Sequence, residues 1–97
     1  MVRHIVMWTL KSEEKKNIET IEANLGGRFR ALVGTVDGLK SVEFGRNYNG
    51  GKLDLILNCV FDSRSAEEGY QNHPSHVAVK KIVHTLVCER ECVDYEF

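Results

Sequence analysis

The sequence predicts a single α+β domain of order βαββαβ, a four-stranded antiparallel sheet with its helices on one face. Three observations predict it. Period-two alternation over β-favouring residues occurs at 2–10, 39–47, 52–61 and 88–97. A stripe at helical spacing separates the first two strands, and a helical segment broken by the sole proline separates the last two. With 97 residues and 11.0 kDa there is room for one core, so residues 1–97 form one domain.

In the first strand Val2, His4, Val6, Trp8 and Leu10 alternate with Arg3, Ile5, Met7 and Thr9, so both faces carry apolar groups. Ser12 then serves as an N-cap, with Glu13 and Glu14 at the positive end of the helix dipole. Ile18, Ile21, Leu25, Phe29 and Leu32 step by three or four, which predicts a helix over 11–33, weakened at Gly26-Gly27.

Asp37-Gly38 marks a turn, Val42 and Phe44 alternate in the second strand, and Asn47-Tyr48-Asn49-Gly50-Gly51 reads as a hairpin connection. The third strand, 52–61, sets Leu53, Leu55, Leu57, Cys59 and Phe61 on one face and Ile56 and Val60 on the other, as a central strand would. Asp62 or Ser63 caps a short helix through Tyr70, and Pro74 opens another anchored by Val77, Ile82 and Val83. The last strand alternates Val93, Tyr95 and Phe97 with Cys92, Asp94 and Glu96, and its charge suits a sheet edge.

Helices on one face leave the apolar groups on the other face of strands one and three uncovered. A second copy stacked sheet against sheet would cover them, although the same face could dock another protein.

Thirteen basic against fourteen acidic side chains give a net charge of −1, which supplies no general attraction for nucleic acid or anionic lipid. No apolar run approaches the roughly 20 residues of a membrane span, and residues 1–10 are unlike a signal peptide, so a cytoplasmic location is expected. Cys88 and Cys92 would stand about 13 Å apart along one strand, too far to bridge. With Cys59 they read as free thiols in a reducing compartment.

Three segments carry a resemblance over the whole chain: Arg3-His4-Ile5-Val6, the Y-x-x-H-P-x-H run at Tyr70-Gln71-Asn72-His73-Pro74-Ser75-His76, and Val93-Asp94-Tyr95-Glu96. On them the sequence resembles the stress-responsive dimeric α/β-barrel family, Dabb. The resemblance implies a ferredoxin-like protomer whose sheet pairs with that of a second subunit to complete a barrel. It implies no single function. One member, olivetolic acid cyclase, is a cofactor-independent polyketide cyclase in which the residues matching His76, Tyr70 and His4 lie in a cavity between sheet and helices. The first two of these take part in its acid–base chemistry.

The residues themselves allow that reading. His76 falls in the first turn of a helix, where the dipole disfavours imidazolium and keeps the ring usable as a general base. Tyr70, on the preceding turn, could polarise a carbonyl as an enolate develops. His4 points to the face of Val6 and Trp8 and would hold substrate or water. The bland alternative has His4 bonding a neighbouring strand, His76 capping or packing at a helix start, and Tyr70 filling the core with its hydroxyl tied off.

His73 and His76 are spaced i, i+3, but Pro74 interrupts the helical face that a metal-chelating pair needs, so no metal is expected. His84 suits the negative end of its helix. Neither glycine pair fits a nucleotide-binding pattern, and the third strand offers only Phe61 to stack on a base, which argues against RNA. Small-ligand modules and cofactor-free monooxygenases use related architectures and remain open.

The expectation is therefore a homodimer with a small hydrophobic cavity in each protomer for an aromatic or carbonyl-bearing ligand. If it is an enzyme it needs no cofactor, with His76 as base, Tyr70 as polarising hydroxyl and His4 as holding residue. The competing reading is a stress-associated or ligand-binding dimer without turnover.

Overall fold

The computed structural model describes residues 1–97. The elements are β1 (Val2–Leu10), α1 (Ile18–Arg30), β2 (Leu39–Arg46), β3 (Leu55–Phe61), α2 (Arg64–Asn72), α3 (Pro74–Leu86) and β4 (Val87–Glu96), with a 3-10 helix, Ser12–Asn17, ahead of α1. Every strand pairing is antiparallel, in the order β2-β3-β1-β4, so the charged last strand is an edge and the third is central, as its residues predict. No helix is long and apolar enough to cross a membrane.

The long helix expected over 11–33 is shorter and begins differently. Ser12 makes no cap; Lys11 stands at that position in an extended conformation, its N–H donating to Leu86 O at 2.9 Å. Ser12 to Asn17 bury nothing, so no apolar face drives an α-helix until Ile18. Asp54 steers this segment, accepting from Leu10 N at 2.8 Å and Lys15 Nζ at 3.0 Å. The helix runs through Gly26-Gly27 and ends at Arg30, after which Leu32 and Val36 are buried from a turn.

The third strand begins at Leu55 rather than residue 52, because the connection before it takes its own form. The Asn47 side chain donates to Gly50 O and Leu53 O, both at 2.8 Å, and accepts from Asn49 N, while Gly50 and Gly51 take positive φ. Ser63, not Asp62, caps α2 by accepting from Ala66 N. In α3 the buried anchors are His76, Val79 and Val83; Val77 is only half-buried. Gly38 has φ +80°, and a Cβ there would stand 2.5 Å from Ala66 Cβ, so this turn lets the backbone approach α2.

The core lies between sheet and helices. Val6, Trp8 and Leu10 from β1 and Leu55, Leu57 and Phe61 from β3 meet Leu25 and Phe29 of α1 and Val79 and Val83 of α3. Phe29 stacks between Trp8 and Phe44, with centroids 6.1 and 5.6 Å away. On the opposite face the register brings together Ile5, Met7, Ile56, Val60, Val93 and Tyr95, which no helix covers; Ile56, Val93 and Tyr95 are exposed.

Candidate functional site

Y-x-x-H-P-x-H acts as a helix end, a break and a helix start. Tyr70 lies in the last turns of α2 and is fully buried. His73 precedes a proline, which disfavours helical backbone; it adopts φ −66°, ψ 131°, and its side chain accepts from Ser75 N at 3.1 Å, capping α3. Pro74 sets the first turn, and His76 then lands its ring on Tyr70, with centroids 3.8 Å apart and planes at 24°.

His4 reaches the same place from the sheet. It pairs in register with Cys59 on β3 and Asp94 on β4, so its buried side chain faces the helices. Its ring meets Tyr70 edge-on at 5.8 Å. The three residues distant in sequence thus converge. His73 stands apart as a cap.

Two buried polar atoms in this cluster have no hydrogen-bond partner, the Tyr70 hydroxyl and His76 Nδ1. The Tyr70 hydroxyl lies against the Cys59 thiol, a weak partner, and a polar atom buried without a good partner costs about 1–3 kcal/mol unless a water or ligand meets it. Burial raises the Tyr70 phenol above its ordinary range, and the adjacent Cys59 adds to this; burial also pushes the Cys59 thiol up to about 12. His76 is lowered to about 4 by burial, and the backbone carbonyls of Gln71 and Tyr70 oppose this only in part. Its neutrality, expected from the helix dipole, comes chiefly from desolvation.

His4 Nδ1 is hydrogen-bonded to Asp94 Oδ1, which holds the ring in one orientation and leaves Nε2 as its other polar atom. Sequence reasoning gave Asp94 no role. Its only signal was its place in Val93-Asp94-Tyr95-Glu96, and the pairing to His4 follows from the register of β1 with β4.

The cavity lined by His4, Tyr70 and His76 encloses about 30 Å³, room for a water molecule. Trp8, Phe29 and Leu57 form its apolar floor, and the exposed side chains of Lys80 and Arg90, with His84 beside them, form an outer wall that carries two cations. His84 therefore borders the site as well as ending α3. A larger, open groove of about 520 Å³ between residues 35–38 and the start of α2 is lined mainly by polar side chains and gathers none of these three.

The family model of the stress-responsive A/B barrel domain, Dabb, matches residues 2–97. The chain belongs to the Dabb family. Among solved structures, a dimeric Bacteroides fragilis protein of unknown function with a ferredoxin-like fold is 31% identical, with a TM-score of 0.88 over 99% of this chain and 95% of that one. An Arabidopsis thaliana protein superimposes with a TM-score of 0.82 at 22% identity, covering 100% and 95% of the two chains. A hydroxynitrile lyase from Passiflora edulis gives 0.79 at 15% identity, covering 97% and 90%. No curated protein matches the chain. The Dabb protomer described above thus has the ferredoxin-like α+β architecture.

The His76 environment predicts an acid-sensitive fold. Its folded pKa, about 4, lies below the ordinary 6.5, so between these values the unfolded chain binds the extra proton. The resulting stability is fully present above about pH 6.5 and is lost as pH falls toward 4, by about 2 kcal/mol. Urea unfolding at pH 7 and 4.5 should show this loss in the native chain, and His76→Phe should shrink it by more than half. An unchanged pH dependence would refute the assignment.

Proposed function

We propose that this Dabb chain forms a homodimer through the free sheet face and that each protomer performs acid–base chemistry on a small carbonyl or phenolic compound without a cofactor. The observation that carries the reading is the pair of unpartnered buried polar atoms on stacked rings, Tyr70 hydroxyl and His76 Nδ1, beside the Asp94-held His4. An unmet hydrogen-bonding capacity at a cavity wall is what a ligand's polar atom would satisfy.

Within this proposal we divide the work differently from the sequence-based assignment of His76 as base. A general base works best with a pKa near the working pH, and His76, at about 4, is a weak proton acceptor there. Neutral His76 and the Tyr70 hydroxyl suit the stabilisation of a carbonyl oxygen as it becomes an enolate. His4, oriented by Asp94, then takes the proton α to that carbonyl and returns it after bond formation or cleavage. The Lys80 and Arg90 wall favours an anionic ligand, such as a β-keto carboxylate or phenolate. A cyclisation of the olivetolic acid cyclase kind fits these roles, and a ligand enters by displacing the exposed wall side chains. The three free thiols suit a reducing compartment such as the cytoplasm.

Pairing is supported by the uncovered apolar residues Ile5, Met7, Ile56, Val60, Val93 and Tyr95 and by the dimeric Bacteroides fragilis relative. The cavity reading is tested by following the four histidines by NMR during titration with β-keto acids, phenols and a cyanohydrin. His4 and His76 should shift selectively while the capping His73 stays unmoved. Absence of any response at His4 and His76 across the panel would overturn the reading.

A further inference from the structure

His4, Cys92 and Asp94 place three donors of different kinds on one side of the His4 ring. Cys92 Sγ lies 3.8 Å from His4 Nδ1 and 3.9 Å from Asp94 Oδ2, while Nδ1 and Asp94 Oδ1 are in hydrogen-bond contact. The three ligand atoms all fall within 4.8 Å of one another. A catalytic thiol–imidazole–carboxylate relay would need the thiol and the carboxylate on opposite ring nitrogens. Here both address Nδ1, so that relay is ruled out by geometry. Convergence on one point is the arrangement that coordination needs.

We propose that His4, Cys92 and Asp94 form a binding site for a borderline-soft divalent cation of the Zn²⁺ type. Tetrahedral coordination with ordinary Zn–N, Zn–S and Zn–O lengths separates a sulfur from its nitrogen or oxygen neighbour by roughly 3.6 Å. The two sulfur separations are therefore within a few tenths of an ångström of a coordinated geometry. The His4–Asp94 pair has to open as the proton between them leaves, and Asp94 is the member free to move, its side chain being 46% exposed against 3% for His4. The mixed N, S, O donor set selects Zn²⁺ or Co²⁺ over Mg²⁺ or Ca²⁺. Three protein donors leave a fourth position for water.

An acidic cleft adjoins the site. Asp94 itself lines it, with Glu67, Glu68 and Glu96, around a volume of about 150 Å³. Of the cations nearby, Arg64 is committed to Glu96 at 2.6 Å, and Arg90 lies by the Cys92 thiol. The cleft gives an incoming cation a negatively charged approach to the exposed side of the site. Cys92 takes no part in the proposed acid–base chemistry, so its readouts test this inference separately. The two proposals share His4 and Asp94, and a bound cation displaces the contact by which Asp94 orients that ring.

The test is titration of the full chain with Co²⁺, in the presence of a phosphine reductant. One Co²⁺ per chain should bind and produce thiolate-to-cobalt charge-transfer absorption, which Zn²⁺ then abolishes by competition. Cys92→Ser should remove the band, His4→Asn should weaken binding by more than about tenfold, and Cys88→Ser should leave both unchanged. In the unsubstituted chain, Zn²⁺ should slow alkylation of Cys92 and not of Cys88. A native chain without the band, a band that survives Cys92→Ser, or Cys92 alkylation indifferent to Zn²⁺ each overturns the site. Cys92→Ser should retain the His76 response to organic ligands, which separates failure here from failure of the acid–base reading.

Discussion

Tyr70→Phe is expected to make the domain more stable while removing its response to ligands, whereas Tyr70→Ala should come close to unfolding it. The two substitutions divide the side chain into parts with opposite effects. The ring is fully buried against Phe61 at 5.0 Å and His76 at 3.8 Å, so truncation to alanine leaves a large cavity, for about 3–5 kcal/mol of lost stability. The hydroxyl is buried with only the weakly bonding Cys59 thiol beside it, and deleting it removes a poorly compensated desolvation, for a gain of about 1 kcal/mol. Urea midpoints should move in opposite directions at unchanged slope. A residue kept only for packing would show no loss of function on gaining stability; the combination of a stabler fold and a silent cavity marks a group held for chemistry. Destabilisation by Tyr70→Phe of 1 kcal/mol or more would mean that the hydroxyl is structurally bound, and the acid–base proposal would lose its central support.

Ile5→Lys should convert the proposed dimer to monomer with the protomer intact. Ile5 lies on β1, an inner strand, between Asn58 of β3 and Val93 of β4, on the face turned away from the helices. In one protomer that face meets solvent, and an ammonium on a half-exposed strand position disturbs little. In a paired sheet it becomes a buried, unmatched charge, worth about 3 kcal/mol or more against association, a weakening of more than a hundredfold. Sedimentation at micromolar concentration should give twice the chain mass for the native protein and 11.0 kDa for Ile5→Lys. A native monomer, or a variant that still pairs, would overturn the pairing.

The acid sensitivity expected from His76 and the pairing of His4 with Asp94 show where sequence reasoning stopped. The burial of His4 follows from its alternation with Val6 and Trp8, because a strand with a covered face buries every second side chain. Its partner does not follow, since Asp94 is 90 residues away and only the register of β1 against β4 sets them side by side. Shifting that register by one residue would turn Asp94 to the other face. The early end of the proposed first helix has a similar origin. Local signals at Ser12, Glu13 and Glu14 favour a cap, but the segment buries nothing, and Asp54 and Leu86, both distant in sequence, hold its backbone and Lys15 elsewhere.

By itself the sequence determined the element order, the central place of the third strand, the break at His73-Pro74, and the two-faced apolar character of β1 and β3. These properties depend on period and on cap and proline chemistry, both of which are local. Tertiary structure alone decided that Tyr70 and His76 stack with two polar atoms lacking a direct protein hydrogen bond, that desolvation holds His76 neutral, that the cavity beside them has about the volume of a water, and that Asp94 and Cys92 meet at His4. Each of these depends on how far one element sits from another, and no local pattern along a chain encodes that distance.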